Sequence, residues 1–265
     1  MSGEPTEPKA QPWSPQRHHW IMASIVVPIL CVAITATVAL VNAHRDDHPA
    51  AGQSQSAAAP PPDQSTACGP IDDDKIVAGW GPERPLVTGQ QFTATAQMDS
   101  DRDDPVYGDE RSLVTAKDAS ITTPGHWETE INVEEGKTYL IRIYVHNSAD
   151  SSPEHAAHDV RISANVPNCT AHKIRVDGFI SAADTYPITV YANVVFQSDR
   201  PFNLTYKSGS AIYYNNPHPK GTQLTDDIVT SKGTPVGVDQ MDGVVPGNYG
   251  NTGYAVFEVI PAFPG

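Results

Sequence analysis

Basic residues are scarce in this chain of 265 residues, which has 17 lysines and arginines against 31 aspartates and glutamates and a net charge of −14. Nucleic acids and anionic lipid surfaces are bound through clusters of lysine and arginine. The composition therefore argues against a nucleic-acid partner. The acidic excess is compatible with the binding of cations or with solubility alone.

Catalytic motifs are also missing. The chain has no Gly-x-Ser-x-Gly nucleophile elbow, no P-loop and no dinucleotide-binding glycine motif. Asp239 and Asp242 could act as an acid and a base, but Asp242-Gly243 is also the standard sequence of a tight turn. We therefore expect a protein that is not an enzyme. An envelope hydrolase with a site assembled from distant carboxylates is the alternative.

Cysteine is limited to three residues, of which Cys68 and Cys169 lie outside the apolar N-terminal segment. Two cysteines in an oxidising compartment indicate one disulfide bond. Closing a loop of about 100 residues would stabilise the fold by ~4–5 kcal/mol in the chain-entropy model. Two free thiols are the alternative, and zinc is not expected because neither cysteine has a neighbour in CxxC spacing.

Charge is absent from Ile21 to Val41. A helix of that length spans ~31 Å and matches the ~30 Å hydrocarbon core of a bilayer. We expect a transmembrane signal-anchor helix at 20–43 that follows a cytoplasmic tail at 1–19, because lysine and arginine are more frequent on the N-terminal flank. A cleaved signal peptide is the alternative, although its apolar region is usually shorter. Both alternatives predict an extracytoplasmic location for the rest of the chain.

The remainder divides into a linker and a folded domain. Segment 44–67 is rich in alanine, proline, serine and glutamine and has too few apolar residues to form a core, so we expect a disordered linker. The folded domain is expected at 68–265. Its distance from the membrane would be set by the linker.

Alternation of apolar and polar residues dominates the folded domain. The segments 127–134 and 139–146 are predicted to form a hairpin with one buried face. Further strands are predicted at 160–166, 173–180, 188–197, 202–206, 210–214 and 253–260. This pattern predicts an all-β fold, an antiparallel Ig-like (Greek-key) β-sandwich. One large sandwich is favoured over two smaller ones that divide near Cys169, because the sequence has no internal repeat.

Three segments resemble parts of known surface proteins. They are Tyr139-Leu-Ile-Arg-Ile-Tyr-Val-His-Asn147, Asp159-Val-Arg-Ile-Ser-Ala-Asn-Val-Pro167 and Leu204-Thr-Tyr-Lys-Ser-Gly-Ser-Ala211. They are similar to the core of the Ig-like repeats of bacterial cell-surface proteins. The chain also resembles a group of actinobacterial membrane-anchored envelope proteins of unknown function, through 108–111 (GDER) and 241–247 (MDGVVPG). The resemblance covers roughly 105–260 and departs from the surface repeats by a hairpin inserted at about 170–200. It implies surface display and interaction, and it brings no catalytic residues.

An acidic stretch at 99–110 is the sharpest local feature. Its acidic residues match positions 1, 3, 5 and 12 of a calcium-binding loop, but Asp104 stands where the turn of that loop needs glycine. We predict a candidate Ca²⁺ site with the ligands Asp99, Asp101, Asp103, Asp109 and Glu110. A solvated acidic loop is the alternative. His155 and His158 are a weaker candidate pair for zinc, because the helix that would align them is missing.

Aromatic residues are few, at 8% of the chain. Tyr213, Tyr214 and Asn216 lie in one polar segment and Tyr249 in another, and we predict these four as binding residues. Tyrosine and asparagine give contact area and hydrogen bonds at low entropic cost. The expected partner is a surface protein or a glycan. The expected function is surface interaction or structural support by a non-catalytic, membrane-anchored cell-envelope protein, and a calcium-stabilised adhesive module is the alternative.

Overall fold

Residues 62–63, 66–88 and 91–265 are the part of the chain that the computed structural model describes, and strands dominate it. In chain order the strands are β1 (Cys68–Gly69), β2 (Trp80–Gly81), β3 (Val114–Asp118), β4 (Glu130–Asn132), β5 (Tyr139–Val145), β6 (Arg161–Asn165), β7 (Ala171–Ser181), β8 (Thr189–Tyr206), β9 (Ile212–Asn215), β10 (Thr222–Gln223), β11 (Thr234–Pro235) and β12 (Gly253–Ala262). Short 3-10 helices lie at Glu110–Ser112, Pro153–His155, Asp226–Val229 and Tyr249–Asn251.

Strand β8 connects two layers of strands. Its first part pairs antiparallel with β7, whereas its end, from Asn203 to Tyr206, pairs antiparallel with β12. The first layer contains β3, β5, β12, β9 and β10, and the second contains β1, β2, β4, β6, β7 and β11. The pairing of β4 with β8 is parallel. The predicted all-β fold is confirmed, as one 12-stranded, mostly antiparallel sheet folded into a sandwich-like arrangement.

The alternation of the sequence decides which face of each strand is buried. In β5, Tyr139, Ile141 and Ile143 are buried in the core, whereas Leu140 and Arg142 between them lie on the outer face. Strands β6 and β12 follow the same two-residue period. Burial of the apolar face gives roughly 25 cal/mol per Å² of apolar surface, and this is the main term that holds the two layers together.

Gly178 on β7 lies at a close approach of the two layers. A Cβ atom at this position would lie 2.6 Å from Val114 Cγ2 and 3.1 Å from Ile143 Cδ1, both in the first layer. Glycine is therefore required here for space. The short distances from Gly178 to Val114 and Ile143 also show that β7 packs across the core against β3 and β5.

The disulfide bond between Cys68 and Cys169 is confirmed, with a separation of 101 residues along the chain. It lies next to the pairing of β1 with β7, in which Cys68 is opposite Ile174. Ala67, which was predicted to end the linker, is buried, and its carbonyl accepts a hydrogen bond from the Arg175 N–H. The ordered packing therefore begins before residue 68.

The predicted hairpin of 127–134 with 139–146 is wrong. Strand β4 pairs with β8 in the second layer, whereas β5 pairs with β3 and β12 in the first layer. The turn at Gly136 therefore connects the two layers. The predicted strands at 188–197 and 202–206 are parts of the one strand β8.

The predicted cytoplasmic tail and transmembrane helix, and most of the predicted linker, lie outside the described residues. Within the part of the chain that the structure describes, no helix is long and apolar enough to span a membrane. The anchor therefore stays a prediction from the sequence.

We expect Gly178→Ala to lower the free energy of unfolding by about 1–3 kcal/mol, because the added methyl group overpacks the core against Val114. Urea denaturation of the full chain in a non-ionic detergent measures this change. Gly79→Ala is the matched control, because a Cβ atom there meets nothing within 4 Å. An equal loss in both variants would contradict the close approach of the layers at Gly178.

Candidate functional site

The acidic stretch at 99–110 forms a closed loop whose polar groups bind its own backbone. The Asp101 N–H donates to Glu110 Oε2 at 3.0 Å, and the Glu110 N–H donates to the Asp101 carbonyl at 2.9 Å. Near the tip, Asp104 and Gly108 exchange backbone hydrogen bonds of 3.0 and 2.8 Å. Asp104 Oδ1 accepts the Tyr107 N–H at 2.7 Å. These bonds fix the position of Tyr107 relative to the sheet.

The carboxyl group of Glu110 attaches this loop to β5. It is 2% exposed, and its Oε1 lies 2.7 Å from His146 Nδ1, just after the end of β5. The Tyr144 hydroxyl donates to the same oxygen at 3.4 Å. Burial, and then the nearby carboxyl of Glu110, raise the pKa of Tyr144, so its hydroxyl stays protonated and can donate. A buried carboxyl group without such partners would be costly.

The five predicted calcium ligands take part in different contacts. Asp109 forms an ion pair of 2.5 Å with Arg111. Asp101 Oδ1 accepts the Asp103 N–H at 3.0 Å, and the Tyr249 hydroxyl donates to Asp101 Oδ2. Among the described residues, no group of three or more histidine, cysteine, aspartate or glutamate side chains is arranged to hold a metal ion. The calcium site therefore stays a prediction, without support from this geometry.

Asp99 is fully buried and has a left-handed backbone with φ 47°. The Arg84 guanidinium donates to the Asp99 main-chain carbonyl at 2.6 and 3.2 Å. Both carboxyl oxygens of Asp99 lack a hydrogen-bond partner within the described residues. Burial, and then the nearby Glu110, raise the pKa of Asp99 well above its ordinary value. The neutral, protonated carboxyl is therefore favoured in the folded protein.

The outer face of the first layer carries a row of tyrosines. Tyr254 on β12 is directly opposite Tyr144 on β5 and Tyr214 on β9. The Tyr214 and Tyr254 rings are stacked, with their centroids 5.4 Å apart. From the loop above, the Tyr107 ring lies 3.9 Å from that of Tyr144. The sheet register thus aligns three tyrosines, of which Tyr214 and Tyr254 are partly exposed and Tyr144 is buried beneath Tyr107.

Two cations lie at one end of this surface. The Arg142 guanidinium is 4.6 Å from the centre of the Trp127 ring and 4.9 Å from that of Tyr107. The Lys117 ammonium is 4.8 Å from the centre of the Trp127 ring. Cation–π contacts of this kind contribute about 0.5–2 kcal/mol each. They hold Trp127 against the outer face of β3 and β5.

Three adjoining cavities, of about 460, 280 and 340 Å³, lie along this surface and share Tyr107 as a lining residue. We call them together the aromatic groove. Its aromatic lining consists of Phe92, Tyr107, Trp127, Tyr144, Tyr214, Tyr249 and Tyr254. Its polar lining includes Asp104, Lys117, Arg142, Asn216, Asn248 and Thr252. Aromatic rings with a few polar groups are typical of ligand sites.

Three of the four predicted binding residues lie in the aromatic groove. Tyr214 and Asn216 line one cavity and Tyr249 lines another. The prediction of Tyr213 as a binding residue is wrong, because its side chain is 0% exposed on the opposite face of β9. In a strand, neighbouring side chains point to opposite faces, so Tyr213 and Tyr214 cannot both face a ligand.

The other aromatic residues of the groove were not among the binding residues predicted from the sequence. Tyr144 and Arg142 were already placed on the same face of β5 by the alternation of the sequence, which was a usable signal. The positions of Tyr107 and Tyr254 depend on a loop conformation and on the pairing of β5 with β12. Local periodicity contains neither of these.

Comparisons of the chain with models of protein families, with curated proteins and with solved structures give no match. The function of the chain is therefore inferred from the geometry and chemistry of the aromatic groove.

The raised pKa of Asp99 leads to a pH-dependent stability. At pH values between the ordinary pKa of 3.8 and the raised pKa, Asp99 holds a proton in the folded protein and releases it in the unfolded chain. The free energy of unfolding therefore falls as the pH rises through this window, by up to about 1.4 kcal/mol per pH unit. Asp99→Asn removes this contribution, so we expect a weaker pH dependence in the variant.

Urea denaturation of the full chain at intervals from about pH 4 to 8 measures this difference. Asp239→Asn is the control, because Asp239 is exposed. If Asp99→Asn and the wild type lose stability equally as the pH rises, the buried carboxyl of Asp99 does not have the raised pKa.

Proposed function

We propose that this chain is a membrane-anchored, extracytoplasmic protein of the cell envelope whose Ig-like β-sandwich binds a glycan along the aromatic groove without catalysing a reaction. The observation that carries this proposal is the set of partly exposed rings on the outer face, Tyr107, Trp127, Tyr214 and Tyr254, with Tyr144 buried beneath Tyr107 as their support.

A glycan fits the groove because of the electronic character of aromatic rings. The face of an aromatic ring is negative, and the C–H groups on the face of a sugar ring are slightly positive, so the two faces attract each other. A row of rings therefore offers successive positions to successive sugars. Asn216, Asn248 and Thr252 lie at the margin of the groove, where their polar groups can bind sugar hydroxyls.

The groove is held in place before a ligand arrives. Tyr144, Tyr214 and Tyr254 belong to paired strands, and the loop that bears Tyr107 is fixed by hydrogen bonds to Asp104 and through Glu110. A binding surface that is already ordered loses little conformational entropy on association. This rigidity favours binding.

The position of the carboxyl groups supports binding rather than catalysis. Glu110 and Asp99 are buried beneath the surface, at 2% and 0% exposure, where a substrate would not reach them. Asp104 lines the groove, but its Oδ1 accepts the backbone N–H groups of Val106 and Tyr107. The carboxyl groups thus hold the loop that presents the aromatic rings.

The extracytoplasmic location rests on two independent features. Disulfide bonds persist in oxidising compartments, and Cys68 is bonded to Cys169. The uncharged segment from Ile21 to Val41 has the length of a membrane-spanning helix. Together they support a position of the domain on the outer side of the membrane.

A binding assay tests this proposal. The full chain, in a non-ionic detergent, is applied to an immobilised panel of neutral and acidic oligosaccharides. We expect Tyr214→Ala to weaken binding of the best oligosaccharide at least tenfold, or about 1.4 kcal/mol, because one stacking position is lost. Tyr186→Ala is the matched control, since Tyr186 is 49% exposed on the turn between β7 and β8, away from the groove. Equal effects of both substitutions, or no binding to any oligosaccharide, would contradict the proposal.

A further inference from the structure

The cavity beside Trp127 contains two cations that the protein itself does not neutralise. Lys117 is 9% exposed and Arg142 is half-buried, and both line the cavity of about 340 Å³. Within the described residues, neither side chain has an ion pair or a hydrogen bond, and both lie over aromatic rings. Such placement is unusual in a chain with 31 acidic and 17 basic residues.

Unsatisfied polar atoms accompany these cations. Arg142 Nε is buried without a hydrogen-bond partner among the described residues, and so is Thr115 Oγ1. Thr115 on β3 lies directly opposite Arg142 on β5. A buried polar group left without a partner costs about 1–3 kcal/mol. The positive charge of the cavity is therefore accompanied by a buried, unpartnered atom of one lining residue, Arg142 Nε.

The nearby carboxylates have other partners. Asp118, at the end of β3, lies 3.0 Å from Lys137, and Glu258 on the outer side of β12 lies 2.7 Å from Lys207. Asp104, at the other end of the groove, accepts hydrogen bonds from its own loop. None of these carboxylates is paired with Lys117 or Arg142, so the two cations are open to an anionic group of a bound molecule.

The charge of the whole chain limits what that molecule can be. A net charge of −14 repels densely charged polyanions such as nucleic acids. A uronic acid needs only the two cations of this cavity for its one carboxylate, and the uncharged faces of its sugar ring suit the tyrosines next to the cavity. A guanidinium group is the preferred partner of a carboxylate because both are planar.

We propose that Lys117 and Arg142 bind the carboxylate of an acidic sugar, so that the ligand of the aromatic groove is a saccharide containing uronic acid residues. This inference rests on the proposed function and adds the chemical class of the glycan. The sugar that carries the carboxylate lies in the cavity beside Trp127, and the next sugars lie on Tyr107 and Tyr254.

Binding titrations test this inference. The full chain, in a non-ionic detergent, is titrated with a hexamer of galacturonic acid and, separately, with the methyl ester of that hexamer. The two ligands differ in charge at each carboxyl group. We expect the acid to bind at least tenfold more tightly than the ester. Arg142→Gln and Lys117→Gln should each lose at least tenfold more affinity for the acid than for the ester. Arg200→Gln is the matched control, since Arg200 is exposed, lies over the Phe263 ring and is paired with Glu135.

Equal affinity of the wild type for the acid and the ester would overturn the carboxylate site and leave the proposed glycan function standing. Preference for the acid that survives in both Arg142→Gln and Lys117→Gln would also overturn the site. Binding of a hexaglutamate peptide without binding of any saccharide would overturn both the inference and the proposed function, and it would identify the groove as a surface for proteins.

Discussion

The buried carboxyl group of Glu110 joins parts of the chain that are distant in sequence. One oxygen accepts the backbone N–H of Asp101, and the other contacts His146 and the hydroxyl of Tyr144. These contacts attach the acidic loop to β5 and bring Tyr107 onto the ring of Tyr144. The aromatic groove depends on this attachment, because Tyr107 lines all of its three cavities.

The two faces of the first layer have separate roles. The inner face packs against the second layer around Gly178, and the outer face carries the tyrosine row with Lys117 and Arg142. Strand β8 pairs in both layers and the disulfide bond ties the start of the domain to the region before β7, so the outer face has a rigid support. A sheet held in this way can present flat rings at fixed spacing.

The sequence predicted the strands better than their pairing. Alternation identifies β6 and β12 because each buries one face, and apolar runs identify β7 and β8, which are buried on both faces in part of their length, but neither signal contains information about which strands are neighbours. The hairpin of β4 with β5 was wrong for this reason. The acidic loop matched a calcium motif because carboxyl oxygens accept backbone N–H groups as readily as they bind cations. Alternation could have separated Tyr213 from Tyr214, but the row of Tyr144, Tyr254 and Tyr214 depends on register between distant strands.

Hydrogen exchange of the full chain, with and without the galacturonic acid hexamer, tests the central claim that the aromatic groove is the ligand site. The account predicts that the ligand slows exchange in the segments that line the groove, at 104–108, 119–128, 214–217 and 248–254, and leaves the turn at 182–188 unchanged. Protection at the turn, or none in the groove while the hexamer is bound, would contradict it.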